Sequence, residues 1–179
     1  MVFTNLLGGM LMRYRVGDLI EIVAKQDDEI GVNIPKMSFY SRADDLIDIG
    51  TLARFTETTI WQAIDGSKVK YVEWTARKEA DNGEVILHLY LELKESEKQP
   101  LNKITSKIRK KLHKVCPEFS DMEALLGNNK LEVTILPSNA FNNYIEAQRQ
   151  AGADLAHIKP PHMQPNDNVI KRLLEKNKV

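Results

Sequence analysis

Lys159 stands directly before two prolines, in Gly152-Ala153-Asp154-Leu155-Ala156-His157-Ile158-Lys159-Pro160-Pro161-His162. Proline fixes φ and donates no backbone hydrogen bond, so the chain stiffens just after the lysine. A cation in such a loop returns to one point, as neutralisation of charge in a transition state requires. Asp18 follows Gly17 in Arg13-Tyr14-Arg15-Val16-Gly17-Asp18. A carboxylate just past a glycine turn can accept two hydrogen bonds from a vicinal diol such as a ribose. Arg42, in Ser41-Arg42-Ala43-Asp44-Asp45, can pair bidentately with a phosphate from between two strands. Taken singly, each has a plainer reading: a solvated lysine, a surface hairpin and a charged loop beside an edge strand.

The elements that must hold these residues follow from the pattern. Residues 11–16 and 19–23 are strand-like runs flanking the Gly17-Asp18 turn, and 36–41 and 46–49 are two further strands. Thr56 caps a short helix with Ile60, Trp61 and Ile64 on one face and Gly66 closing it. After a strand at 69–74 comes the turn Asp81-Asn82-Gly83, then a strand with Val85, Leu87, Leu89, Leu91 and Leu93 on one face. His88 and Glu92 fall on the other, which predicts a half-buried antiparallel pair. Pro100 opens an amphipathic helix with the stripe Leu101, Ile104, Ile108, Leu112 and Val115. Ser120-Asp121-Met122-Glu123 has capping-box spacing for a short helix stopped by Gly127, and 131–135 is a strand. Ser138 caps a helix bearing Phe141, Tyr144, Ile145 and Gln148, and a last helix carries Val169, Ile170, Leu173 and Leu174. This succession predicts an α+β fold, with a small antiparallel or mixed sheet flanked by helices and preceded by a few strands.

Composition narrows the function classes. The chain has 179 residues and 25 basic against 25 acidic side chains. Residues 1–90 hold 10 of the basic and 14 of the acidic ones, a net −4, which leaves 15 and 11, a net +4, for 91–179. That asymmetry slightly favours an anion near the second half. The basic run Lys103, Lys107, Arg109, Lys110, Lys111 and Lys114 lies opposite its helix's own apolar stripe. Without aromatic interleaving it reads as a solvated face, and no nucleic-acid partner is expected. No stretch reaches the ~18–20 apolar residues of a membrane span, so no membrane partner is expected. One cysteine, Cys116, makes no internal disulfide, and a cytoplasmic setting is expected. His157 and His162, five apart in a loop, are a poor zinc pair, and no metal site is expected. Trp61 and Trp74 read as core anchors.

In their order along the chain, the motifs gain a common meaning. Tyr14-Arg15-Val16-Gly17-Asp18, then Arg42-Ala43-Asp44-Asp45 with Gly50 and Glu57 beyond, resembles the motifs near the end of acyl-adenylate-forming enzymes. The segment Phe141 to His162, with Gly152-Ala153 and Lys159-x-Pro161, resembles one branch, the auxin-responsive acyl acid amido synthetases and their bacterial relatives. Phe39-x-x-Arg42 and Glu73-Trp74-Thr75-x-Arg77 agree with that branch. The chain departs from the plant members at His162, where they usually carry arginine.

The resemblance implies a function and a set of roles. Asp18 would bind the AMP ribose, Arg42 would contact the phosphate, Asp44 would be the hinge of a C-terminal lid, and Lys159 would approach the reacting phosphate. In such enzymes a carboxylic acid is activated by ATP as an acyl adenylate and passed to an amine, commonly an amino acid. No Ser/Thr/Gly-rich phosphate loop occurs in these residues. Residues 1–43 are therefore expected to be the β remnant of a large N-terminal adenylation domain, and 44–179 the lid. That domain is the expected partner; it would supply Mg, and the fragment is expected to be inactive alone and to hold ATP or AMP at most weakly. The alternatives are the lid of an acyl-CoA or aryl-CoA ligase, with a thiol acceptor, and a non-catalytic binding or regulatory module.

Overall fold

The computed structural model describes residues 2–3, 13–15, 17–42, 45–50, 52–81, 83–126, 130–153 and 158–175. They group into two units, Met1–Leu46 and Ile47–Val179.

The first unit is built of paired strands. β1 (Val2–Phe3) pairs antiparallel with β2 (Tyr14–Arg15), and β3 (Asp18–Ala24) pairs antiparallel with β4 (Lys36–Arg42). The runs on either side of the Gly17 turn thus belong to two different two-stranded sheets and do not form one hairpin. Gly17 has φ +84°, a left-handed conformation that glycine adopts without a Cβ clash.

The second unit is centred on a three-stranded mixed sheet. β5 (Ile47–Ile49) and β6 (Ala53–Phe55) form a short antiparallel pair, followed by α1 (Glu57–Gly66). The Thr56 hydroxyl accepts the backbone N–H of Thr59, the expected cap. β7 (Tyr71–Asp81) pairs antiparallel with β8 (Glu84–Leu93), and β8 pairs in parallel with β9 (Leu131–Ile135). A parallel neighbour needs a crossover. Here it consists of α2 (Leu101–Val115) and α3 (Pro117–Leu126). α4 (Ala140–Gln150) and α5 (Asp167–Leu174) complete the unit.

One face of this sheet, through Leu87, Leu89 and Leu91, packs on β5, β6 and α1 to α3, where Ile104, Ile108, Leu112 and Phe119 are buried. The other face is covered as well. Tyr90 packs with Phe141 and Tyr144 of α4 and with Val169, Ile170 and Leu173 of α5. The expectation of a half-buried pair therefore fails at β8: His88 and Glu92 are buried too, and their polar atoms find partners inside. Trp74 is a core anchor as expected, but Trp61 is 47% exposed. The inward stripe of α1 is Ile60, Ala63 and Ile64, and Trp61 lies one position round the helix from it.

Two helix starts also differ from expectation. α3 begins at Pro117, whose missing N–H costs nothing in a first turn. Glu123 does not close a capping box; its carboxylate accepts from the Lys130 backbone N–H and meets the His113 ring. α4 has Asn139 at its N-cap in the left-handed region, with no cap from its own side chain and none from Ser138. The Glu92 carboxylate of β8 serves instead, accepting the N–H groups of Asn139 at 2.8 Å and Phe141 at 3.0 Å. A carboxylate at a helix N-terminus meets both its unpaired donors and the positive end of its dipole.

Candidate functional site

Lys159 lies on a loop that β7 holds along its edge. The Ala76 N–H donates to the His162 carbonyl at 2.7 Å, and the Gln164 N–H donates to the Ala76 carbonyl at 2.8 Å. Met163 thereby pairs with Ala76 as a parallel bridge. The buried Thr75 hydroxyl donates to the Pro161 carbonyl at 2.7 Å, and Lys78 N–H to the Gln164 side chain at 3.1 Å. Pro160 is buried and Lys159 is exposed. The stiff loop expected from the prolines is thus also fastened by hydrogen bonds.

The loop borders a pocket of about 200 Å³ between Val72 and Glu73 of β7, Phe141, Asn142 and Ile145 of α4, and Lys159, Pro160 and His162. Phe141 and Ile145 give its wall an apolar part on α4, beside the polar Asn142, while Glu73, Lys159 and His162 supply its titratable groups. Among the described residues, Lys159 makes no ion pair.

His162 is the best-anchored side chain of the site. Its ring stacks on Trp74 with centroids 4.7 Å apart and planes 17° from parallel. Nδ1 is 2.5 Å from Glu57 Oε1 and Nε2 is 3.0 Å from Glu73 Oε1. The hydrogen bond to Glu73 raises the His162 pKa above its ordinary value, against the opposing effect of burial, and Glu57 adds to the rise. The Glu73 carboxyl is held below the usual range, first by the hydrogen bond from His162, against burial, and in part by the charge of Lys159. Glu57 and Glu73 both belong to segments that carry the family resemblance. Their meeting with His162 across 105 and 89 residues has no local signal in the sequence.

A second polar cluster lies within this unit. Glu79 accepts from Tyr90 at 2.6 Å, meets His88 Nδ1 at 2.7 Å and takes a hydrogen bond from Arg77, which also reaches Asp167 of α5 at 2.7 Å. Burial works to raise the Glu79 pKa, but the bonds from Tyr90, His88 and Arg77 outweigh it and hold the carboxyl at about 2. The same burial and the same carboxylate push the Tyr90 phenol upward. Through Arg77 the cluster reaches the first residue of α5, whose packing on the sheet is carried by Val169, Ile170 and Leu173.

The other expected site residues belong to the first unit. The β3–β4 register sets Asp18 directly opposite Arg42. Asp44 lies outside the described residues, as do Asp154 and His157. No group of three or more His, Cys, Asp or Glu among the described residues is placed to hold a metal ion. No described helix is long and apolar enough to cross a membrane.

No family model and no curated protein matches the chain. Solved structures do. A GH3.15 acyl acid amido synthetase matches with a TM-score of 0.65 and 19% identity, over 91% of this chain and 30% of that one. AtGH3.15 acyl acid amido synthetase in complex with 2,4-DB matches with a TM-score of 0.61 and 18% identity, over the same shares. The fold is that of an amido synthetase segment. This chain spans about 30% of the length of the structures it matches, consistent with a C-terminal portion of the amido synthetase fold. The expected α+β class, with small sheets flanked by helices, agrees with it.

Proposed function

We propose that these residues form the C-terminal portion of an ATP-dependent, acyl-adenylate-forming amido synthetase. A carboxylic acid and ATP give acyl-AMP and pyrophosphate; an amine or amino acid then takes the acyl group and AMP leaves. The observation that carries this reading is Lys159, exposed on a loop hydrogen-bonded to β7 and bordering a pocket, in a fold like that of an amido synthetase. Lys159 neutralises charge at the reacting phosphate. Asp18 takes the ribose, Arg42 the phosphate, and Asp44 the pivot of the lid. The acyl pocket, the phosphate loop and the Mg ion belong to the remaining portion of the enzyme. Ile22, Val23, Met37 and Phe39 are each more than half exposed on the β3–β4 pair, which supports a further protein body packing there.

The test is ATP–pyrophosphate exchange by the longest protein whose reading frame contains these residues, across a panel of carboxylic acids. Acid-dependent exchange that Lys159→Ala slows by roughly two to four orders of magnitude is expected, the scale of one preorganised contact at the reacting centre. Exchange with no acid at all, or exchange indifferent to Lys159, would overturn the reading. A protein that binds partners without exchange would be the non-catalytic module.

A further inference from the structure

His162 has an acceptor at each ring nitrogen, Glu57 on α1 and Glu73 on β7, and lies flat on Trp74. Neutral imidazole carries one N–H, so both contacts are hydrogen bonds only in the imidazolium form. Glu73 also borders the pocket that Lys159 borders, and the lysine's charge acts on it. Two carboxylates thus face two cations. Among the described residues, α4 contributes Phe141, Asn142 and Ile145 to the pocket and β7 contributes Val72. A further titratable neighbour of Glu73 is Tyr71 of β7, whose phenol is pushed upward by burial first and then by the charges of Asp65 and Glu73.

We propose that His162 is the positioning residue for Lys159: by engaging Glu73 it stops that carboxylate from capturing the lysine, and so keeps the ammonium group available at the pocket. When the imidazolium loses a proton, one carboxylate loses its donor. Lys159 is the other cation bordering the pocket with Glu73, and pairing with Glu73 draws it away from a ligand's phosphate. The catalytic consequence rests on the role proposed above for Lys159; the coupling itself is a property of this chain. Its direction in pH is fixed. A histidine whose folded pKa is raised keeps its ion pairs fully below about 6.5, the unfolded value, and loses them as pH rises through the folded value.

The coupling is measured on the 179-residue chain after reductive ¹³C-methylation of its lysines, with the Lys159 signal assigned from Lys159→Arg. His162 is titrated separately through its imidazole resonances. The Lys159 signal is expected to show an inflection at the His162 titration in addition to its own. That inflection disappears in Glu73→Gln, which removes the competing charge, and in His162→Arg, which keeps a permanent cation and holds Lys159 in its low-pH state. His162→Gln fixes the high-pH state throughout. Backbone amide spectra establish that each variant is folded; should Glu73→Gln unfold, the comparison of His162→Arg with His162→Gln decides. A Lys159 signal blind to His162, or an inflection that survives the loss of Glu73 or persists in His162→Arg, overturns the proposal. Absence of pyrophosphate exchange would remove the proposed function and leave this coupling intact, so the two failures are distinguishable.

Discussion

The Glu92 carboxylate, on the central strand, accepts the backbone N–H of Phe141 at 3.0 Å and thereby caps a helix whose N-cap, Asn139, lies 47 residues after it in the chain. Glu92 is 3% exposed, so water cannot replace it. Glu92→Ala leaves two helix donors unsatisfied and is expected to lower stability by about 2 kcal/mol. Urea unfolding should show a lower midpoint with an unchanged slope. An unchanged midpoint would mean that α4 caps itself in another way.

Acid should act through Glu79. Its folded pKa is depressed to about 2, so its contribution is present above the unfolded carboxylate value and is lost as pH falls through about 2. Glu79→Gln has no charge to lose. The variant is expected to be less stable than the parent at pH 7 and to lose less of its stability between pH 4.5 and 2. Thermal unfolding across that range checks it. Parallel curves for the two proteins would exclude Glu79 as a source of the acid sensitivity.

The 179 residues by themselves are expected to give no ATP–pyrophosphate exchange with any carboxylic acid. The structures that share this fold extend over more than three times the length matched here. Robust exchange by the purified chain would place the whole adenylation machinery within these residues, against the proposal.

A lid that serves two half-reactions needs a backbone position that absorbs a large φ change, and that role is proposed for Asp44. Proline at 44 locks φ near −65° and restricts Ala43 before it. In the amido synthetase proposed above, Asp44→Pro is expected to leave pyrophosphate exchange in place and suppress amide formation. Equal loss of both activities, or equal retention, would move the pivot elsewhere.

Much of the second unit was legible because its signals are local. Of the expected stripe Leu101, Ile104, Ile108, Leu112 and Val115, the three central residues are buried at helical spacing, Val115 is partly buried, and Leu101 at the helix start is exposed. The Thr56 cap lies three residues from its partner. What escaped depends on distant chain. His88 and Glu92 are polar and alternate with leucines, which in a strand signals a wet face. They are buried because Glu79, Thr134 and the start of α4 satisfy them, and no window of sequence contains all of those groups. The candidate site divides in the same way. Lys159 was marked by its prolines, whereas Glu57 and Glu73, though in segments that carry the resemblance, give no local sign that both would meet His162.

The hydrogen bonds that fasten the Lys159 loop to Ala76 also occupy the free edge of β7, the side away from β8. An open strand edge is a template for pairing with another chain. Loosening the loop would therefore do two things at once: unfix the lysine and bare a row of backbone donors and acceptors. A variant such as Thr75→Val, which removes the hydroxyl bond to Pro161 and His162, should betray the freed loop by self-association. Precision at the lysine and solubility of the sheet are, in this chain, guarded by the same few bonds.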